Sequence, residues 1–282
     1  MKTLDLSIVV PVSKDERILN CLASIDANVE IVVVLNNNPS DEVIKIVNND
    51  GRCKKVFVSK TKKFNLAKTL NLGIAKSVSN NILIINSDCR FPSGLLQEMI
   101  EKINKFEVVK SRVVCDYQSF NEFIVARSRY QFSHLFNEKR NLYGPGMMFR
   151  KNIIKKLGGY FFDEDIGWAE DADLSQRIYR ANLSVFFINR EVIHAPEGIV
   201  HDLKIAFVIG KGKRLKDLKK NINISQGNIY MLTDIVLDRY HHLRSSYKNE
   251  GLIVTLYLII WKILYLSGYF NQSLKLRKVS YD

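Results

Sequence analysis

The chain has 282 residues, 46% hydrophobic and 25% charged, a balance that excludes a disordered or fibrous protein and allows one large α/β domain with or without an appendage. A formal net charge of +13 calls for an anionic partner without choosing among nucleic acid, a phospholipid surface and a phosphorylated substrate. Cys21, Cys53, Cys89 and Cys115 lie far apart with no CxxC pair, which argues against a zinc cluster or a disulfide framework and fits a reducing cytosol.

In "MKTLDLSIVVPV" the apolar run is short and broken by Asp5 and Pro11, so it reads as a first β-strand over 6–12 and not as a signal peptide. "DERILNCLASI" (15–25) follows with Ile18, Leu22 and Ile25 at helical spacing. "EIVVVLN" (30–36) is an aliphatic strand, "NNPSD" a turn, and "DEVIKIVNN" a helix. "KKVFVS" is a third strand, "NLAKTLNLGIAKSV" (65–78) a third helix and "NILII" a fourth strand. Near-continuous β-branched runs separated by helices predict a mostly parallel sheet covered on both faces. Ligands of such sheets bind beyond the carboxyl ends of the strands. The polar tips Val12-Ser13, Asn36-Asn37 and Asn86-Ser87-Asp88 are therefore expected around one crevice.

A helix at 93–106 comes next, then a looser region, 107–145, which mixes short strands with the basic and aromatic stretch "ARSRYQFSHLF". "GPGMMFRKNIIKKLGGYFFDEDIGWAEDADLSQRIYRANLSVFFINREVIHAPEG" contains a turn, a short helix, a Gly-Gly stop, an acidic loop, a helix from about 171 to 181 and a strand ending at His194. Past 202 the character changes: Lys211 to Lys220 holds six basic residues and one acidic one, and "LIVTLYLIIWKILYL" (252–266) is almost wholly apolar. The expected organisation is a sheet domain over 1–200 with a helical extension over 201–282.

Two constellations carry chemistry. In "LIINSDCRF" (83–91) three polar groups, Asn86, Ser87 and Asp88, end a strand that is otherwise buried, a costly arrangement unless a ligand uses them. Asp88 at the tip, with His194 after a later strand, offers a hard divalent cation two ligands and leaves positions for phosphate oxygens. An Asx-rich turn closing a strand explains "NSD" equally well. In "GWAEDADL", Glu170 and Asp171 stand where loop becomes helix, either as anions favoured by the helix dipole or as a general base for a sugar hydroxyl. Trp168 offers a stacking floor for a sugar ring or a core aromatic. Asp173 reads as structural. Asp163, Glu164 and Asp165 form either a loop lining an acceptor cleft or a structural acidic turn. His134, His201, His241 and His242 have no metal-ligand spacing.

The succession "SIVVPVSKDERILNCLASI", "EIVVVLNNNPSDEV", "NLAKTLNLGIAKSVSNNILIINSDCRF" and "GPGMMFRKNIIKKLGGYFFDEDIGWAEDADLSQRIYRAN" resembles the GT-A nucleotide-sugar glycosyltransferases of family 2 across roughly residues 5–200. "GWAEDADLSQRIYRA" with "VIHAPEG" is similar to the C-terminal half of the galactosyltransferase and chondroitin-polymerase type of domain. The resemblance implies a GT-A, Rossmann-like fold. It implies that Pro11, Val12 and Ser13 line the nucleotide pocket, that Asn36 stands at the base-reading position and that Lys68 lies near the nucleotide. It also makes Asn86, Ser87 and Asp88 the counterpart of the "DxD" motif, Asp171 the catalytic base with Glu170 next, and His194 a metal ligand beside Asp88. Mn or Mg is the implied cofactor, a nucleotide sugar (UDP first) the donor, and a glycan or lipid-linked molecule the acceptor. Asn86 in place of the first Asp of the motif lowers the expected metal affinity. Asn36 in place of Asp keeps an acceptor for uracil N3 but leaves other bases open.

The implied reaction is a direct displacement with inversion; separately, the lysine-, asparagine- and isoleucine-rich composition points to an AT-rich bacterial genome and so to surface polysaccharide synthesis of the capsule or lipopolysaccharide kind. A catalytically weak or inactive member is one alternative. A basic nucleic-acid-binding protein is another, motivated by the net charge and "RSRYQF", although it leaves the acidic pair unexplained and nucleic acid is not the expected partner. A sugar-nucleotide pyrophosphorylase would carry a Gly-rich loop after the first strand, and "PVSKDER" has no glycine. Fifteen helical residues (252–266) span about 22 Å, short of a hydrocarbon core of about 30 Å. The tail therefore reads either as a buried helix closing the core or as an interfacial helix on an anionic membrane, with Trp261 at headgroup depth and Lys211–Lys220, Lys275, Arg277 and Lys278 drawn to lipid. The expected location is the cytoplasm, with peripheral contact to the inner face of the membrane in the second reading.

Overall fold

The computed structural model describes residues 4–36, 38–58, 65–116, 123–124, 142, 144–195, 198–219 and 224–279, with the backbone alone for 224–243, 245 and 277–279. The "RSRYQF" stretch and His134 lie outside the described residues, as do the side chains of His241 and His242. The chain divides into two compact units. The described residues within 1–116, 134–164 and 171–195 form the first, and those within 117–133, 165–170 and 196–282 the second.

The first unit is an eight-stranded sheet. Its strands are β1 (Ser7–Val12), β2 (Glu30–Leu35), β3 (Cys53–Phe57), β4 (Asn81–Ile84), β5 (Cys89–Arg90), β6 (Val108–Cys115), β7 (Met147–Arg150) and β8 (Val185–His194). They lie in the order β3-β2-β1-β4-β7-β6-β8-β5. The first four in that order run parallel, whereas β7 joins β4 and β5 joins β8 antiparallel. The chain walks outward from β1 to β3, then returns to place β4 on the other side of β1. That reversal puts a topological switch point between β1 and β4, the place where open α/β sheets bind ligands.

The aliphatic runs exist because both faces are covered. Ile8, Val10, Ile31, Val33 and Leu83 pack toward α1 (Ile18–Ala23), α2 (Asp41–Asn49) and α4 (Leu95–Ile103). Val9, Val32, Val34, Ile82 and Ile84 pack toward α3 (Leu66–Lys76) and α5 (Glu170–Arg180) through Leu70, Ile74, Leu174 and Ile178. Ser40 caps α2 by accepting the Val43 N–H at 3.3 Å, and Asn65 caps α3 by accepting that of Lys68 at 3.0 Å. One boundary differs from the sequence pattern: α1 starts at Ile18, because residues 15–17 are held as a loop by their own side chains. The short helix after β7 is a 3₁₀ turn over Lys151–Lys155, and Gly158 and Gly159 stop it with φ of 88° and 89°.

The second unit is built on α6 (Ile199–Lys219) and α7 (Ile224–Val279), the latter broken at Gly251 with φ 86° and ψ 176°. The two helices interlock where neither can carry a side chain. A methyl on Gly210 would come to 1.9 Å from the Tyr265 carbonyl oxygen, and one on Gly268 to 1.9 Å from that of Phe207. Polar groups fill the seam: Tyr257 donates to Asp202 at 2.5 Å, Tyr269 to Asp217 at 3.0 Å, and the Arg214 guanidinium lies over the Tyr269 ring. Arg214 and Lys216 are buried, so these two members of the basic run 211–220, which the sequence reading draws to lipid, are not on the surface. The apolar helix also extends well past 252–266. Ser246–Leu276 is long and apolar enough, by length and composition, to cross a membrane.

Candidate active site

The site begins where β4 runs out. The Ile85 N–H still donates to Val9, and then Asn86 turns the chain by accepting the Cys89 N–H at 3.1 Å. Cys89 enters β5 and pairs antiparallel with His194, the last residue of β8. The Ala195 N–H donates to the Asp88 carbonyl at 2.8 Å. This short bridge joins the tip of one strand to the end of another more than a hundred residues later, and it sets Asp88 Oδ2 3.1 Å from His194 Nε2.

The loop between β1 and α1 closes over the same point. Arg17 grips Asp15 with two N–H groups, Nε to Oδ1 at 2.7 Å and Nη2 to Oδ2 at 3.0 Å. Its third nitrogen donates to the Ala195 carbonyl, and Nη2 stands 3.9 Å from Asp88 Oδ2. Ser87 is buried and donates to Asp15 at 3.0 Å. Asp88 thus lies between an imidazole and a guanidinium. Burial alone disfavours its charge, but His194 and Arg17 outweigh that and hold the carboxyl below the usual range. Burial likewise disfavours a charged His194, yet Asp88 raises its pKa to about 10.

The donor set fits a divalent cation. Ligand atoms about 2.1 Å from a common ion in a right-angled arrangement lie about 3 Å apart, which matches the Asp88–His194 spacing. The Cys89 sulfur is grouped with them, all ligand atoms within 4.8 Å of one another, but it donates to Asp88 Oδ1 at 3.6 Å and burial holds it as a neutral thiol. Loading an ion between carboxylate and imidazole requires His194 Nε2 to give up its proton.

Asp171 sits in the first turn of α5. Its Oδ1 accepts the Ala172 N–H at 2.7 Å and its Oδ2 that of Gly144 at 3.3 Å. Gly144 opens the "GPG" turn, whose other end is fixed to the strand that carries Asp88. The Gly146 N–H donates to Ile84 at 2.8 Å, with φ at 73° and a methyl at its Cα only 2.2 Å from Ser111 Oγ. Buried Lys110 of β6 ties down the middle, donating to the carbonyls of Pro145 at 2.8 Å and Ser111 at 2.6 Å. Asp171 is therefore anchored, through the Gly144–Gly146 turn, to the end of the strand that leads to Asp88. Glu170 is buried, at 5% exposure, which leaves Asp171 the more accessible of the pair. The Cα of Ala169 has φ 71°, a left-handed turn that swings the chain into α5.

The remaining predicted residues divide by position. Pro11, Val12 and Ser13 end β1 at the switch point, next to the β4 tip. Asn36 is buried at the end of β2 and donates to Thr69 Oγ1 at 2.6 Å, while Lys68 is exposed on α3. In the second unit, the Trp168 backbone lies against Gly212, where an added methyl would sit 2.0 Å from the Trp168 carbonyl oxygen. Asp173 pairs with Arg177 at 2.8 Å, and that arginine also binds the carbonyls of Leu157, Tyr160 and Phe161, a structural role. Glu164 accepts from Asn65 and Asn71 of the first unit, and Asp165 pairs with Lys219 of the second at 3.0 Å. His201 is exposed. The sequence pattern does not single out Asp15, Arg17 or Lys110. The nearest signal is an acid and an arginine two residues apart directly after the first strand.

A doubly wound sheet with a carboxylate–imidazole pair at its switch point belongs to the class that binds its ligand beyond the strand ends. The sequence profile described as glycosyl transferase family 2 matches residues 7–158, more than half of the chain. The chain belongs to that family, and is by class a glycosyltransferase. The match ends before Trp168, Asp171 and His194. Solved structures agree on the fold at low identity. The mannosyltransferase PcManGT of Pyrobaculum calidifontis, in complex with GDP-Man and Mn2+, aligns at TM-score 0.60 and 14% identity over 96% of this chain and 87% of its own. S. aureus TarS 1–349 in complex with UDP aligns at 0.53 and 14% over 98% and 92%. A longer TarS chain aligns at 0.53 and 16% over 73% of this chain, which spans 39% of that one. A comparison with curated protein sequences finds no relative.

Proposed function

We propose that this glycosyltransferase moves a hexose or N-acetylhexosamine from a UDP sugar to a glycan or lipid-linked acceptor, with a divalent cation held by Asp88 and His194. The observation that carries the reading is the 3.1 Å approach of those two side chains at the switch point, with Arg17 beside them. The cation would offset charge on the departing diphosphate, Mn being the first choice and Mg the second. The residues of the chain do the rest. Pro11, Val12 and Ser13 receive the nucleoside, with Asn36 toward the base and Asn86 and Ser87 toward the ribose. Lys68 and Arg17 face the diphosphate. Asp171 takes the proton of the acceptor hydroxyl as the oxygen attacks the anomeric carbon from the side opposite the leaving group, giving inversion. Trp168 is the acceptor-stacking residue in this reading. The free thiols of Cys21, Cys53, Cys89 and Cys115 support a cytoplasmic workplace, and capsule or lipopolysaccharide assembly is the kind of pathway we infer.

The deciding experiment is a thermal-shift panel of UDP and GDP sugars with and without Mn2+ or Mg2+, since a ligand that binds only the folded chain raises its stability. UDP sugars are expected to stabilise the protein in a metal-dependent way, and Asp88→Ala is expected to remove the metal dependence. Stabilisation by GDP sugars alone would replace the donor, and equal stabilisation without metal would remove Asp88 and His194 from the cation.

A further inference from the structure

Past Gly251 the second half of α7 has two unlike sides. Val254, Tyr257 and Tyr269 turn inward and are buried. Leu252, Ile253, Leu256, Ile260 and Ile263 turn outward and stay 49% to 69% exposed. On a helical projection those five fall within about 100° of one another, and Leu274 continues the same arc. The side of a helix that faces water ordinarily carries the charges. Here it carries five large aliphatics over ~16 Å of helix length. Between Gly251 and Tyr281 the sequence has Lys262, Lys275, Arg277 and Lys278 and no acidic residue.

We infer that this face of α7 is a docking surface for an anionic phospholipid membrane, with the helix lying in the plane of the interface. Charge selects the occupant. A second protein surface would need acidic patches to meet the cations at 262 and 275, whereas a lipid surface supplies apolar depth and anionic headgroups together. The inner side of the helix settles the depth. It is bonded to α6, which carries Lys204, Lys211, Lys213, Arg214, Lys216 and Lys219, and the glycine seam holds the two helices together. Carrying α7 across a bilayer would carry those charges with it, a heavy desolvation cost. Partial immersion of one face leaves α6 in water. Lys262, its ammonium 4.3 Å from the centre of the Tyr265 ring, lies outside the stripe on the helical projection and has a long side chain of the kind that reaches toward headgroups.

The test is flotation of the full chain with vesicles of phosphatidylcholine alone or mixed with phosphatidylglycerol, at low and high salt. It reads no sugar transfer, so its failure is distinct from failure of the donor assignment. Wild-type protein is expected to float with the anionic vesicles, and salt to weaken it. Ile260→Glu with Ile263→Glu, both exposed positions, is expected to lower partitioning about tenfold or more, since each buried aliphatic is worth more than the 1.4 kcal/mol of a decade. Ser267→Leu, which lengthens the same stripe, is expected to tighten it severalfold. Wild-type protein that stays in the aqueous phase, or floats equally well with either variant, overturns the proposal. So does a membrane fraction that resists alkaline carbonate, which would mean a spanning helix. Sedimentation showing a dimer that Ile260→Glu dissociates, without vesicle binding, would assign the face to a second copy instead.

Discussion

The two units invert each other's polarity. In the sheet unit Ile8, Val10, Ile31 and Val33 are fully buried, and the charged pair of the candidate site, Asp88 and His194, stands at strand ends. In the helical unit Arg214, Lys216, Asp202 and Asp217 are buried, and leucines and isoleucines face outward. Ionic groups inside a helix pair cost desolvation that packing alone does not require, so they specify partners more than they add stability. Aliphatics outside it cost solubility unless something covers them. The sheet unit follows the rules of a protein in water. The helical unit departs from them on its outward face. Charge should accordingly govern chemistry in the first unit and structure in the second, and each substitution below is chosen to make that contrast fail.

The largest effect is expected at Asp88. Asp88→Ala should cut sugar transfer by about 10³-fold or more, because it removes the proposed cation ligand, worth several kcal/mol in the transition state. The fold should persist, since β5 is held by backbone bonds at Cys89 and Asp88 that the substitution leaves alone. Turnover against Mn2+ concentration, with circular dichroism beside it, checks both halves. Near-normal metal-dependent transfer would break the reading of the site. Next comes Asp171→Asn, which keeps an acceptor for the Gly144 N–H but cannot take a proton. Transfer should fall by about 10²- to 10³-fold while donor binding, read by thermal shift, is unchanged. Near-normal transfer would move the base, with Glu170 the next candidate.

In the helical unit the corresponding substitution is Asp217→Ala. It removes the carboxylate that accepts from Lys213 Nζ and from the Tyr269 hydroxyl. Removing one partner from a buried ionic cluster costs about 3 kcal/mol, so the urea midpoint should drop clearly while the donor KM holds. A loss under about 1 kcal/mol would mean the cluster behaves like a surface salt bridge, and the contrast between the units would narrow.

What the sequence makes legible follows from how local the cause is. β1, β2 and β4 declare themselves because a strand buried on both faces must be aliphatic throughout, and α3 and α5 because their apolar residues recur every turn. Asp88 and His194 stand out as polar residues at strand ends, although only the Cys89–His194 pairing brings them together. The Arg17 bond to Ala195 spans 178 positions, and nothing local encodes a contact of that reach. The basic run 211–220 reads as a whole that lipid could draw because composition does not tell which way each cation points; the glycines at 210 and 268 set that, through the helix they let approach.

Lys110 gives the smallest and most specific test, since among the described residues of the sheet unit it is the cation that is buried as in the helical one. Burial lowers its pKa to about 7, against the weaker opposing pull of Cys89 and Asp171. In the unfolded chain an ordinary lysine keeps its proton to about 10.4. Between those two values the unfolded state binds a proton that the folded state does not, so this group makes unfolding harder as pH rises, by up to about 1.4 kcal/mol per unit. Lys110→Met abolishes the term. The stability difference, wild type minus variant, should therefore grow between pH 7 and pH 9, read from urea midpoints at fixed salt. A flat difference would show that Lys110 keeps its charge in the folded state, satisfied by the Pro145 and Ser111 carbonyls alone. The sheet unit would then tolerate a buried cation as readily as the helical one, and the inversion of polarity between them would be a matter of degree.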